Sequence, residues 1–262
     1  MGQKWNCIGK GRTAEIFLYH NRAYKRFFSD FQNAKTREAQ VMAQLQQYAL
    51  PMPMFFGVET IDGAEYLVYA YVNGKTMLQL LVSHPLRVRK YGKKLALLHY
   101  EIHQVKDPAL PAEKARIQKA ISTAPLRPAQ KEKALEALTL LPSGASLCHM
   151  DFHPDNIMMD EPGNDYVIDW TGATQGHPLF DVARTLLLFQ AGSVPPDTPF
   201  AKRILMQLFR KILARIYEKT YYKLSSYTKE GLRPFFLPAA AARYSEQIEE
   251  EKPFYKKFFQ QI

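Results

Sequence analysis

The sequence predicts an α+β protein of two lobes, a small β-rich lobe followed by a larger and mainly helical one. Two observations support this fold class. Residues 4–71 contain short strand-like runs separated by turn signals, whereas apolar residues after residue 76 recur mostly at helical spacing. We therefore expect an N-terminal lobe over 1–71, a hinge over 72–75 and a C-terminal lobe over 76–262.

The N-terminal lobe is expected to consist of two β-hairpins and one helix. The strand-like runs are 15–20, 23–28, 55–60 and 64–71. Asn21-Arg22 and Asp62-Gly63 join these runs in pairs and have the composition of tight turns. Between the hairpins, 30–49 has the periodicity of a helix, with Ser29 or Asp30 as its N-cap.

The C-terminal lobe is expected to be helical apart from one β island. The predicted helices are 76–83, 86–105, 112–122, 128–140, 178–191, 200–223 and pieces of 228–262. The β island comprises 146–149, 156–160 and 166–170. The apolar face expected to be buried in the sixth helix consists of Leu205, Leu208, Ile212, Leu213 and Ile216. His99 and His103 lie one turn apart in an apolar helix and are interpreted as core residues.

Composition and charge exclude several classes of protein. Two cysteines, Cys7 and Cys148, cannot form a disulfide scaffold or a cysteine-rich zinc module. No apolar run is long enough to span a bilayer and no secretory signal is visible, so we expect a cytoplasmic monomer without a membrane partner. A net charge of +10 favours anionic ligands such as nucleotide phosphates. The basic helix 201–223 lacks the contiguous aromatic and basic pattern typical of nucleic-acid binding, and we expect no such partner.

The segment from His149 to Asn156 has the residues of a catalytic centre. Asn156 opens one strand-like run, and a turn returns the chain to Asp169. Because the two ends of a hairpin lie side by side, Asn156 and Asp169 are expected to meet, with Asp151 on the loop just before them. Carboxylate and amide oxygens suit Mg²⁺. The remaining carboxylate can orient a hydroxyl and accept its proton.

Two other interpretations of this segment stay open. Its Asp and Asn side chains could cap backbone groups of a buried polar turn. Alternatively, His149, Asp151 and His153 could form the metal cluster of a hydrolase. Pro154 disfavours the strand conformation that would place those three side chains on one face.

The predicted helix 30–49 contains a second indication of chemistry. Glu38 lies on its apolar stripe, and a buried unpaired glutamate is costly, so Glu38 requires a cationic partner. Lys25 on the preceding strand is the natural candidate. Arg26 and Lys10 are alternatives for the cation that faces phosphates. If Glu38 instead reaches solvent at the edge of the stripe, Lys25 is solvated.

A glycine-rich turn precedes these residues. Gly9 and Gly11 begin a G-x-G-x-x-A pattern that ends at Ala14. A dinucleotide-binding fold needs a helix directly after such a pattern, but a strand pattern follows here. Strand, glycine turn and strand form an arrangement in which backbone N–H groups cover phosphates. An ordinary β-turn is the other interpretation.

Together these motifs resemble the aminoglycoside phosphotransferase and choline kinase family, whose fold is protein-kinase-like. The resemblance rests on H-x-D-x-H-P-x-N at 149–156, on Ile-Asp-Trp at 168–170 and on Asp-Val-Ala-Arg at 181–184. Family members usually have glycine at the position of Met150 and often at that of Asp155. These differences bear on the shape of the loop near the acceptor, not on the roles of Asp151 or Asn156.

The resemblance implies transfer of the γ-phosphoryl group of ATP, with Mg²⁺, to a hydroxyl of an aminoglycoside-like molecule, an amino alcohol or a sugar. The implied roles are Asp151 as base, Asn156 and Asp169 as metal ligands, Lys25 and Glu38 at the phosphates, Gly9 and Gly11 over them, and Tyr69 and Tyr71 at the nucleotide base. His149, His153 and Asp181 are expected to support the loop. A nucleotide-binding regulator without turnover is the rival class.

The C-terminal helices are expected to form the acceptor pocket. Pro238 to Tyr244 reads as a helix of small residues that could approach the cleft closely. An amine acceptor requires acidic partners, for which Glu246 and 249–251 are candidates, although they could also be solvated surface.

Overall fold

The structure is a computed structural model that describes residues 5–192 and 200–262. The chain forms two compact units. The N-terminal unit comprises Met1–Leu80 and Pro154–Ala173, and the C-terminal unit comprises Leu81–His153 and Thr174–Ile262. The chain thus returns to the N-terminal unit after His153. The lobe boundaries predicted along the sequence, with a hinge at 72–75, stay a prediction.

The N-terminal unit contains a five-stranded antiparallel sheet in the order β1-β2-β3-β5-β4. Its strands are β1 (Asn6–Lys10), β2 (Ala14–Tyr19), β3 (Arg22–Phe27), β4 (Phe55–Ile61) and β5 (Ala64–Ala70). The predicted turn at Asp62-Gly63 is confirmed, with left-handed φ angles of 50° and 78°. The first hairpin turns at His20-Asn21, with φ angles of 43° and 59°, instead of at Asn21-Arg22. The prediction was wrong by one residue, because Arg22 pairs with Tyr19 in the strand register.

Helix α1 (Gln32–Leu45) is shorter than the predicted helix 30–49. A 3₁₀ turn, Ser29–Phe31, precedes it, and the hydroxyl of Ser29 donates to the Asp30 carboxylate. Neither residue caps the α-helix, so this part of the prediction was wrong. The side of α1 that faces the sheet is buried, as the stripe predicted. Its buried residues are Glu38, Val41, Met42 and Leu45.

A second, three-stranded sheet joins distant parts of the N-terminal unit. Strands β6 (Gly74–Thr76), β8 (Ile157–Asp160) and β9 (Asp165–Val167) pair antiparallel in the order β6-β8-β9. A Cβ atom on Gly74 would lie 2.2 Å from the carbonyl oxygen of Met159, so only glycine fits this approach. The predicted β island is therefore two sheets: its first strand pairs elsewhere.

The C-terminal unit is helical, as predicted. Helix α2 (Met77–Ser83) leads into it, and its helices are α3 (Val88–Ile102), α4 (Glu113–Thr123), α5 (Pro128–Leu140), α6 (Pro178–Ala191), α7 (Phe200–Leu224), α8 (Lys229–Leu232), α9 (Phe236–Tyr244) and α10 (Lys252–Gln260). Its strands β7 (Ser146–Cys148) and β10 (Thr174–Gly176) pair antiparallel. No helix in the described ranges is both long and apolar enough to cross a bilayer.

Helix α7 does not bury the predicted apolar face. Leu213 is buried, but Leu205 and Leu208 are 64% and 52% exposed. The helix packs on α3 through Leu213, Tyr217 and Tyr221, which are spaced four residues apart. Two of these three are tyrosines, whose hydroxyls bond buried histidines. A stripe drawn from aliphatic residues alone therefore missed the buried side.

Candidate active site

The N-terminal unit encloses a cavity of about 490 Å³, a size typical of small-molecule sites. It is lined by the residues predicted for nucleotide and metal: Gly9, Gly11, Lys25, Glu38, Tyr69, Tyr71, Asn156 and Asp169. The structure thus brings together residues from three hairpins, a helix and the glycine turn.

The glycine turn connects β1 to β2, as the strand pattern predicted. The Gly11 backbone N–H donates to the Ala14 carbonyl at 2.9 Å. A Cβ atom added to Gly9 or Gly11 would meet nothing closer than 3.7 Å. Packing within the protein therefore leaves room above both glycines, where a ligand can approach the backbone closely.

The predicted ion pair between Lys25 and Glu38 is present. The ammonium of Lys25 donates to both oxygens of the Glu38 carboxylate, at 2.6 and 2.9 Å, and lies 3.3 Å from Asp169 Oδ1. Both partners are nearly inaccessible to solvent. Burial lowers the pKa of Lys25, but the charges of Glu38 and Asp169 outweigh it and raise the pKa overall. Lys25 is therefore a cation at the cavity wall.

Three residues support this pair by contacts that the sequence did not predict. The Tyr69 hydroxyl donates to Glu38 Oε1 at 2.7 Å, so this residue of β5 also fixes α1. The Thr171 hydroxyl lies within hydrogen-bond distance of both Glu38 and Asp169, and its single proton can serve one of them at a time. Arg37 donates to the carbonyls of Thr171 and Ala173, which fixes the segment after Asp169 to α1.

Asn156 and Asp169 meet at the open end of the β8–β9 hairpin, as predicted. The Ile168 N–H donates to the Asn156 carbonyl at 2.9 Å, and both polar side chains line the cavity. Asp169 has a left-handed backbone, with φ 62° and ψ 58°, which is uncommon for a residue other than glycine. One carboxylate and one amide oxygen form a hard donor set. This set fits Mg²⁺, whose other positions water and phosphates commonly fill.

Asp155, which stands where the family often has glycine, is held by a hydrogen bond. Its Oδ1 accepts from the Thr76 hydroxyl at 2.8 Å, and both residues line the cavity. The carboxylate therefore connects the 3₁₀ turn at 154–156 to β6.

The C-terminal unit holds the other predicted residues on the loop after β7. Asp181 on α6 accepts from the backbone N–H groups of His149 and Met150. His149 is fully buried, and its Nδ1 accepts from the Asp151 N–H at 3.2 Å. Both residues thus support the loop backbone in the predicted manner.

Met150 has a backbone conformation that favours glycine. Its φ is 68°, in the left-handed region that glycine adopts without strain. Its side chain is nevertheless buried, and its N–H is held by Asp181. Met150 therefore has the left-handed backbone that glycine adopts without strain.

Asp151 faces positive groups. His153 Nε2 lies 3.6 Å from Asp151 Oδ2, and Arg243 Nη1 lies 3.4 Å from Asp151 Oδ1. Burial raises the pKa of Asp151, but the hydrogen bond and charge of His153 and the charges of Arg243 and Arg184 lower it well below its usual range. The carboxylate is ionised and can accept a hydrogen bond.

His99 and His103 form a buried brace with Asp181. Their Nε2 atoms lie 3.0 and 3.4 Å from Asp181 Oδ2, while their Nδ1 atoms contact the hydroxyls of Tyr217 and Tyr221 at 2.6 and 2.7 Å. Burial lowers the pKa of both histidines, that of His103 to about 4. In the neutral Nε2–H tautomer the His103 ring N–H faces the carboxylate, and both rings accept from tyrosine at Nδ1.

The alternative metal cluster of His149, Asp151 and His153 is not formed. Within residues 5–192 and 200–262, the one group of three such side chains whose ligand atoms all lie within 4.8 Å of one another is His99, His103 and Asp181. The hydrogen bonds from tyrosine and the backbone account for that brace without a metal.

Two of the acids suggested for an amine acceptor already have partners. Glu251 is bound by Arg243, and Glu246 is bound by both Arg243 and Arg184. Their negative charges are therefore largely compensated. Glu249 pairs with Lys252 and is exposed. A role of these acids toward an amine acceptor stays a prediction.

Comparison with known proteins places the chain in a family. Residues 22–218 match the model of the phosphotransferase enzyme family. The chain belongs to this family. The suspected relationship to aminoglycoside phosphotransferases and choline kinases is thereby confirmed, and the chain is a phosphotransferase of the small-molecule type. No curated protein matches the chain in sequence.

Solved structures support the same fold for this phosphotransferase. A thermostable mutant of aminoglycoside phosphotransferase APH(4)-Ia has 17% identity and a TM-score of 0.65, with 98% of this chain and 92% of that chain covered. Aminoglycoside-3′-phosphotransferase of type VIII has 15% identity and a TM-score of 0.59, with 91% of this chain and 93% of that chain covered. Choline kinase LicA from Streptococcus pneumoniae has 16% identity and a TM-score of 0.50, with 92% of this chain and 93% of that chain covered. At such identities the likeness shows the kinase-like fold alone.

Proposed function

We propose that this phosphotransferase moves the γ-phosphoryl group of ATP, with Mg²⁺, to a hydroxyl of a small molecule. The observation that carries the proposal is the Lys25 ammonium, held between Glu38 and Asp169 at the wall of the cavity. A fixed cation beside a glycine turn suits phosphate oxygens, and the neighbouring carboxylate and amide suit a divalent cation. Thermostable mutants of APH(4)-Ia bind ADP or AMP-PNP together with hygromycin B, which supports a nucleotide here.

In this proposal the predicted residues of the cavity position the nucleotide and its metal ion. The glycine turn at Gly9 and Gly11 covers the phosphates, and Lys25 neutralises their charge while Glu38 fixes the direction of the ammonium. Tyr69 and Tyr71, which also line the cavity, are the residues proposed to contact the base. Asn156 and Asp169 would hold Mg²⁺, which, when bound, neutralises charge on the phosphate oxygens.

Asp151 supplies the base on the C-terminal unit. The O–H of the acceptor donates to its carboxylate, the hydroxyl oxygen forms the bond to phosphorus, and the proton passes to Asp151 as the bond to ADP breaks. A carboxylate with a lowered pKa is a weak base, so orientation of the hydroxyl contributes more than proton removal before transfer. The acceptor classes are an aminoglycoside-like molecule, an amino alcohol or a sugar.

The test is turnover of ATP with and without Mg²⁺, followed by a screen of hydroxylated amines and sugars for phosphorylated product. We expect Mg²⁺-dependent ATP hydrolysis that at least one acceptor accelerates. Binding of ATP without turnover, in the presence of Mg²⁺ and every acceptor class, would instead identify a nucleotide-binding regulator.

A further inference from the structure

Arg243 on α9 is bound by carboxylates on several sides. Its Nε and Nη2 donate to the two oxygens of Glu251 at 2.8 and 2.6 Å, a bidentate pair. Its Nη1 donates to Glu246 at 2.6 Å and lies 3.4 Å from Asp151 Oδ1. Only 6% of Arg243 is exposed to solvent. Each nitrogen of the guanidinium thus faces a carboxylate.

The surroundings of Arg243 are rigid. Ala239, Ala240, Ala241 and Ala242 are all buried, and α9 packs against α4, α5 and α6. Small side chains allow this close approach of helices. Arg184 on α6 binds Glu246 from a second direction. The position of the Arg243 guanidinium is therefore set by α9, by Glu251 and by the Glu246–Arg184 pair together.

A single nitrogen of Arg243 connects the base to this network. Both Asp151 and Glu246 contact Nη1, at 3.4 and 2.6 Å, so their contacting oxygens are at most about 6 Å apart. Because Nη1 carries two hydrogens in a fixed plane, it constrains the direction of both carboxylates. A lysine ammonium would restore the charge but not this planar fork.

We propose that Arg243 is a positioning residue for Asp151, and that Glu246 and Glu251 influence phosphoryl transfer through Arg243. This inference rests on the proposed function, because it needs Asp151 to act as the base. Arg243 itself is not assigned to anion binding, since its donors already face three carboxylates of the chain. The positive charges that face Asp151 are those of Arg243, Arg184 and, when protonated, His153.

The test is Mg²⁺-dependent ATP hydrolysis by the full chain, with water as acceptor. Truncating Arg243 alone leaves Glu251 buried without its partner, which can unfold the chain. The main variant is therefore R243M/E251Q, which removes both charges, and R243K is the conservative variant. Glu249→Gln, an exposed position in the same segment, is the matched control.

We expect kcat to fall roughly 10²-fold in the double variant, while KM for ATP stays within about twofold, because the base is misplaced and the nucleotide cavity is unchanged. R243K should recover part of the loss. The acid limb of the pH–rate profile should move to higher pH in the double variant, since a positive charge beside Asp151 is gone. Glu249→Gln should match the wild type.

Combination with Asp151→Asn separates the possible failures. Without a base to position, the Arg243 substitutions should cost little more in the Asp151→Asn background. An unchanged kcat in a folded R243M/E251Q variant, or the same fold-loss in both backgrounds, would overturn the role of Arg243 and leave the proposed function standing. A wild type without turnover, or an Asp151→Asn variant as active as the wild type, would overturn both.

Discussion

The two units each contain a buried cluster in which a basic side chain binds acidic ones, yet the clusters use different cations. In the N-terminal unit, one Lys25 nitrogen is surrounded by Glu38 and Asp169. In the C-terminal unit, the planar group of Arg243 binds Glu246 and Glu251 and contacts Asp151. A lysine is a point charge that can exchange one oxygen partner for another, whereas a guanidinium fixes directions.

This difference matches the tasks proposed for the two clusters. A nucleotide must enter and leave, so its cation has to accept a phosphate oxygen in place of Asp169 and release it again. A base has to keep one orientation through every turnover, so a rigid fork suits it. The first cluster has two carboxylates and one lysine. The second has three carboxylates and two arginines, Arg243 and Arg184, so carboxylates exceed these cations by one in each. Net charge alone therefore does not distinguish them.

The largest expected effect is on the base. Asp151→Asn keeps the size and polarity of the side chain but cannot take up a proton, so transfer should fall by roughly 10²–10⁴-fold. Nucleotide affinity should be close to that of the wild type, because the cavity belongs to the other unit. Steady-state kinetics with the best acceptor of the screen measure the loss. Transfer within a few-fold of the wild type would remove Asp151 from this role.

The next expected effect is on metal-dependent binding. Asp169→Ala removes one of the two oxygen donors and one partner of Lys25, so nucleotide affinity in Mg²⁺ should fall roughly tenfold or more. Affinity measured in EDTA should change much less. Calorimetric titration in both conditions gives the comparison, with Glu161→Ala, an exposed change on the same hairpin, as control. Equal losses with and without Mg²⁺ would contradict a ligand role.

A double-mutant cycle sharpens the description of the lysine cluster. Lys25→Met should weaken phosphate positioning, and Glu38→Gln should do so by releasing the ammonium. Because the two are in direct contact, we expect a coupling of about 0.5–3 kcal/mol in catalytic efficiency. Strictly additive effects would mean that Glu38 does not act through Lys25.

The lysine cluster was predictable because both partners break a local pattern. Glu38 interrupts an apolar stripe, and Lys25 lies on the strand before it. Asn156 and Asp169 were predictable in the same way, since a hairpin brings its ends together. In each case the periodicity of an element or the presence of a turn indicates which residues lie close together.

The arginine cluster and the supports of Glu38 were not predictable. Arg243 is 92 residues from Asp151 along the chain and is brought to it by the packing of α9. Thr171 and Arg37 lie 133 and 134 residues from their partners. No periodicity encodes such distances. The buried side of α7 was predicted only in part for a related reason, because tertiary packing buries Tyr217 and Tyr221 together with Leu213.

The smallest expected effect tests the opposite case, a buried carboxylate without a paired cation. Glu113 on α4 is 3% exposed and accepts from the His177 N–H at 2.6 Å. A Cβ atom on Gly176 would lie 2.0 Å from Glu113 Oε2, so the carboxyl group is closely enclosed. Burial raises its pKa to about 8, against the His177 bond, which lowers it. At neutral pH the folded protein therefore holds a proton that the unfolded chain has lost.

This raised pKa fixes the sign of the pH dependence. Protonated Glu113 contributes its full share to the free energy of unfolding below the unfolded pKa of 4.5. This contribution is lost as the pH rises toward 8, by at most about 1.4 kcal/mol per pH unit. Glu113→Gln keeps an acceptor for His177 and cannot titrate. The free energy of unfolding of the wild type should thus decline relative to that of the variant by on the order of 1 kcal/mol between pH 6 and pH 7. Urea unfolding at several pH values measures this difference. The wild type and the variant both contain His99 and His103, so the contributions of these histidines cancel. The exposed Glu132→Gln should leave the wild-type slope unchanged. Parallel curves for the wild type and Glu113→Gln would show that Glu113 is ionised in the folded protein.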